Sequence, residues 1–161
     1  MAAAVRKIPE GCHTIAPHLT VREGAGMIEF YKKAFGAKEI RRSQGPGGNI
    51  LHAEIQIGDS RVFLNDEFPE MGAVSPLSLK GTAVTVHIWS EDVDKIYNQA
   101  LAAGAKVVMP LADQFWGQRY GVISDPSGHN WSLGMMVKDM TPEELQKAGA
   151  EAMAKMGGAH S

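Results

Sequence analysis

Cysteine occurs once in the 161 residues. Cys12 therefore cannot close an internal disulfide, which fits a reducing compartment. It lies in a Pro/Gly-punctuated segment with no activating pattern nearby, so a nucleophilic role is not expected of it. No run of 18 apolar residues is present, so no membrane span is expected. The opening Met1-Ala-Ala-Ala-Val-Arg-Lys-Ile-Pro9 lacks a hydrophobic segment long enough for a secretory signal. Neither charge sign dominates: 16 basic and 18 acidic residues leave a formal net charge of −2. That balance gives no basic footprint for nucleic acid. A phosphate-cradling loop is missing too, because Gly45–Gly48 opens no apparent helix and reads as a turn. These absences predict a single cytoplasmic-type domain, with no membrane and no nucleic acid among its partners and no cofactor. The length allows a sizeable core.

What is present is a repeated order of elements. Residues 1–13 read as an N-terminal arm. Thr14–Val21 alternates, Pro17, Leu19 and Val21 on one face against His18 and Thr20 on the other, as a half-buried strand does. Met27, Ile28, Tyr31, Ala34 and Phe35 then form a helical stripe over Ala25–Phe35, with Gly36 as C-cap. Strands follow at Ala37–Ser43, His52–Ile57 and Arg61–Asn65, and a linker spans 69–81. Thr82–Trp89 alternates again. Ser90 is the expected N-cap of a second helix carrying Val93, Ile96, Tyr97, Ala100 and Leu101, which Gly104 ends. His87 answers His18, and Leu133 answers Leu64, each at an offset of 69 positions. The pattern is an internal repeat. It predicts an α+β fold of two tandem βαβββ modules, 14–68 and 82–136, both helices outside, curved into a cleft with His18 and His87 across it. Residues 137–161 form a tail, where Thr141-Pro142-Glu143-Glu144 is a capping box opening a helix that Gly157-Gly158 ends.

Polar residues cluster on the faces opposite the helices. His18, Thr20, His52, Glu54, Gln56, Thr85, His87 and Trp89 fall there by period-2 alternation. The richest stretch is Asp113–Leu133, whose Ser124-Asp-Pro-Ser-Gly128 is turn chemistry between two strands. Before it, Trp116-Gly117 ends a long connection after Pro110, and Arg119 and Tyr120 follow. An aromatic, a glycine and an arginine so close can line a pocket for a flat or anionic ligand.

The two modules, the helix words Ile28-Glu-Phe-Tyr31 and Gly36-Ala37, and Trp116-Gly117 with Arg119 and Asp125-Pro-Ser-Gly128 resemble the vicinal oxygen chelate superfamily. More narrowly the chain resembles the glyoxalase/bleomycin-resistance branch and its 3-demethylubiquinone methyltransferase-like subgroup, over roughly residues 14–136. The superfamily holds lyases, dioxygenases, epimerases and drug-sequestering proteins, so the resemblance implies a fold and not one reaction. Its metal-dependent members carry a His or similar ligand on the first strand of each module and a carboxylate on the last. Counted from Asp125-Pro-Ser-Gly128, the carboxylate position of the second module falls on Ser132, and its repeat partner is Phe63. Counted back from the helices, the first-strand positions fall on Ala16 and Thr85.

The missing carboxylates imply a metal-free protein of the bleomycin-resistance type, holding an aromatic or amphipathic small molecule. Its ligand-binding residues would be His18, His52, Glu54, His87, Trp89, Trp116, Arg119 and Tyr120. Two enzyme readings stay open: a metal-dependent lyase or dioxygenase acting on vicinal oxygens through a shifted site at His18, Glu54 and His87, and a metal-free acid–base enzyme using His18 or His87 with Glu54. A homodimer is expected, because two four-stranded modules leave sheet edges and apolar surface to cover.

Overall fold

Where alternation in the sequence is clean, a strand forms. In the computed structural model, which describes residues 6–157, β1 (His18–Val21) buries Leu19 and Val21 and leaves His18 exposed. The strand is shorter than its pattern. Pro17 has no N–H to donate, and only its carbonyl joins the sheet, accepting from Phe63 N at 2.9 Å. α1 (Gly24–Phe35), β2 (Lys38–Gln44), β3 (Ile50–Ile57) and β4 (Ser60–Asp66) complete the first module. Gly24 is required at the helix start, since a Cβ there would lie 2.8 Å from Ile50 Cγ1. The Asp66 carboxylate accepts from both Gly24 N and Ile50 N at 2.6 Å, tying helix start to sheet. The linker carries a short helix, α2 (Pro76–Leu79).

The second module repeats the order with β5 (Thr85–Trp89), α3 (Val93–Ala103), β6 (Lys106–Asp113), β7 (Gln118–Ser124) and β8 (Asn130–Met136). Asp92, not Ser90, caps α3: its side chain accepts from Lys95 N at 3.1 Å, while Ser90 accepts from Asp92 N one step upstream. Asp92 is the residue directly before Val93, so it is better placed to reach the N3 amide. Pro110 sits inside β6 and not in a connection. The edge position of β6 and its register shift between Met109 and Ala112 let a residue without an N–H stay in the sheet. α4 (Pro142–Gly157) follows, with the reciprocal bonds Thr141 N to Glu144 and Glu144 N to Thr141 and no buried residue. Gly158 and residues 1–5 of the arm lie outside the described residues.

The sheets are two, ordered β1-β4-β3-β2 and β5-β8-β7-β6, rather than one continuous sheet. In each, the first strand runs parallel to the last and the other pairs are antiparallel. Seven residues of α1 are buried, because it packs on its own sheet and also against α3 and Trp131. Asp125 locks this junction. Its buried carboxylate accepts from Tyr31 OH at 2.8 Å, Trp131 Nε1 at 2.9 Å, and the amides of Ser127 and His129. Three further bonds cross between modules, Arg22 N to Ser127 Oγ, Gln99 Nε2 to Ala34 O, and one between His129 Nε2 and Thr20 O.

Candidate functional site

On the helix-free face of the first sheet, alternation brings His18, His52 and Phe63 together. Their ring centroids lie 5.4 to 6.0 Å apart. Glu54, 5% exposed, lies beside them. A buried carboxylate is costly unless compensated, and Glu54 is met from three sides. Its Oε1 accepts from Arg41 Nε at 2.7 Å and also from Nη2. His52 Nε2 stands 3.6 Å from Oε1, and Arg61 Nη1 stands 3.7 Å from Oε2. Arg61 reaches this face by alternating with Phe63 along β4. Arg41 reaches it because a register shift after Glu39 sets it opposite Glu54.

The second sheet gathers aromatics on its equivalent face. The His87 ring lies 4.5 Å from Trp89 and stacks on Tyr120 at 5.9 Å, and Tyr120 meets Trp116 edge-on at 5.5 Å. Gly134 makes room: a Cβ there would lie 2.8 Å from His87 Cε1. His87 Nδ1 lies 2.8 Å from Ser132 Oγ. Partial burial pushes the His87 pKa below the usual histidine value. Trp116 rides on a tight hairpin of residues 114–117, not on a long connection. Gly117 has φ 83°, and a Cβ on it would lie 2.4 Å from Lys138 O, so only glycine fits this turn. The indole Nε1 donates to Gln118 Oε1 at 3.1 Å.

Seven of the eight residues expected at the site thus form two clusters, His18, His52 and Glu54 on one sheet and His87, Trp89, Trp116 and Tyr120 on the other. Among the described residues no ring contact joins the two clusters. Arg119 belongs to neither. Tyr120 takes the aromatic face, and strand alternation turns Arg119 to the other side. There it donates to Asp94 at 2.7 and 2.8 Å and to Asp113 at 3.0 Å. The guanidinium groups beside the first cluster are those of Arg41 and Arg61.

Two cavities adjoin these clusters. One of about 430 Å³ lies between the modules and is lined by Arg61 and Val62 from one side, by His87, Trp89 and Trp131 from the other, and by Ile15 of the arm. The other, about 520 Å³, separates Lys7 and Cys12 of the arm from Arg41, His52, Glu54 and Phe63.

Strand register sets each first-strand histidine against one residue of the last strand. His18 stands level with Phe63 and His87 with Ser132. Of the residues that the count from the helices reaches, Thr85 pairs with Asn130, and Ala16 precedes β1. A divalent ion does not fit these residues. Phe63 offers no donor, Ser132 is engaged with His87, Glu54 is held by arginine, and among the described residues no three His, Cys, Asp or Glu side chains gather around a common point.

The family model of the Glyoxalase/Bleomycin resistance protein/Dioxygenase superfamily matches residues 12–133. An uncharacterised protein of Mycobacterium tuberculosis is 47% identical over 137 residues, covering 83% of this chain and 81% of its own. The crystal structure of TioX from Micromonospora sp. ML1 superposes with a TM-score of 0.62 at 25% identity, over 77% of this chain and 98% of that one. A Bacillus cereus structure described as a putative 3-demethylubiquinone-9 3-methyltransferase, PhnB protein, shares the fold at 18% identity and a TM-score of 0.57, over 76% of this chain and 99% of that one.

Proposed function

The chain belongs to the Glyoxalase/Bleomycin resistance protein/Dioxygenase superfamily, and on that premise we propose that it binds a planar or amphipathic small molecule between its modules without a metal. One observation carries this reading. At both positions level with the first-strand histidines, where metal-dependent members place carboxylates, this chain has Phe63 and Ser132. A phenyl ring and a hydroxyl bonded to imidazole make a binding wall and not a ligand set. The wall continues through Trp89, Tyr120 and Trp116, whose faces suit stacking on a flat ligand. From the first sheet Arg61 lines the cavity between the modules, and His52 and Glu54 line the adjoining one under the arm.

The protein acts as a homodimer in this reading. Trp89 (59% exposed), Val107, Val108 and Met136 of the second module, with Met153 and Met156 of α4, leave apolar surface that a second copy can cover. Calorimetric titration against a panel of aromatic antibiotics and metabolites tests the binding function. Saturation by at least one of them is expected, with Trp89→Ala weakening it. Failure to saturate with any would count against the proposal.

A further inference from the structure

The unmet hydrogen-bonding capacity of Arg61 points to the chemistry of the ligand. Its side chain is 12% exposed, yet Nε and Nη1 are buried with no hydrogen-bond partner. Buried donors are nearly always satisfied, and leaving two guanidinium donors without partners is costly. Glu54 does not cancel this charge. That carboxylate is committed to Arg41 and stands 3.7 Å from Arg61 Nη1, so one anion faces two guanidinium groups. Lys7 lines the adjoining cavity. The surroundings of Glu54 thus carry a surplus of positive charge, with donors to spare. What covers Arg61 is the arm: a Cβ on Gly11 would lie 3.2 Å from Nη2 and 3.4 Å from Nε. The contact is slight, a single 3.4 Å bond from Nη2 to Glu10 O.

We propose that Arg61, with Arg41 beside it, is the seat for an oxyanion, a carboxylate or phosphate group, that displaces the Glu10 carbonyl when ligand binds. The planar fork of Arg61 matches two oxygens of such a group. Arg61 also lines the cavity that reaches His87 and Trp89. An oxyanion held there places the rest of the ligand against those rings. The inference rests on the ligand-binding reading above and narrows it to anionic aromatic or amphipathic molecules.

Titrating the 15N-labelled full chain with benzoate, its neutral counterpart benzamide and inorganic phosphate tests this. Benzoate is expected to shift the Gly11 amide and Arg61 Nε saturably, with a Kd about tenfold lower than that of benzamide, the scale of one charge-assisted hydrogen bond. Arg61→Met should erase the preference and Arg119→Met should keep it. Arg41→Gln, at a side chain 65% exposed, should reduce the preference, and it serves should the Arg61 variant not fold. Saturation of the same signals by phosphate alone would point to a free oxyanion, and saturation by benzoate alone to one carried on an aromatic body. Equal binding of benzoate and benzamide overturns the oxyanion seat while the pocket reading stands. Phosphate binding without either aromatic keeps the seat and sinks the pocket reading. No binding of any of the three overturns both.

Discussion

Three single residues separate packing from binding. Tyr31 donates to the buried carboxylate of Asp125 where the modules meet, and burial and that carboxylate hold its pKa well above the usual phenol value. Tyr31→Phe removes one of four donors to a buried anion and should lower the unfolding free energy by about 1.5–3 kcal/mol, read from urea denaturation. Trp116 is different. It is half-buried on a hairpin and touches Tyr120, so Trp116→Ala should weaken ligand binding by about 1–3 kcal/mol with a smaller effect on folding. A large drop in denaturation midpoint with unchanged binding would return Trp116 to the core. Arg119 faces Asp94 and Asp113, so Arg119→Ala should leave calorimetric binding untouched. The Asp125 turn was legible from local chemistry. The direction of Arg119 was not, because it depends on which residue of β7 takes the inner face, and only pairing with β8 sets that.

Among the elements, those with clean alternation were readable and those shaped by irregularity were not. β3 and β5 declare their faces through Ala53, Ile55 and Ile57 and through Val86 and Ile88. The bulge after Glu39 has no sequence signal, and it is what delivers Arg41 to Glu54. Pro110 signalled a loop, but its place on an edge strand with a register shift removes the need for its missing donor. On β2, Glu39 accepts from Arg42 and from Lys32 of α1, which hold its pKa at about 2 against an ordinary 4.5. The folded carboxylate thus resists protonation more than the unfolded one. Its stabilisation is whole above about pH 4.5, declines below, and is lost as pH falls through about 2. The gap in urea midpoint between wild type and Glu39→Gln should therefore narrow from pH 7 to about pH 3. The first turn of α4 should open independently of the core, since within one protomer nothing on the helix is buried. Thr141→Ala should speed amide exchange in its first turn while leaving the global midpoint unchanged, because a cap supports its own helix.

For the whole molecule, the repeat made the two modules legible, and the matching pairs His18–Phe63 and His87–Ser132 carry the 69-residue offset into three dimensions. How the modules sit together was not legible. The shared packing of α1, α3 and Trp131 is a long-range arrangement that no local pattern encodes. A homodimer predicts a sedimentation mass of twice 17.3 kDa at micromolar concentration, and a monomer mass would contradict it. The central claim is binding without metal, and it is tested by one comparison: calorimetric titration of the same aromatic ligand into chelator-treated protein and into protein supplemented with zinc, iron, nickel or manganese. The account predicts equal affinity and stoichiometry in every case. Binding that vanishes on chelation and returns with one of the ions would contradict it.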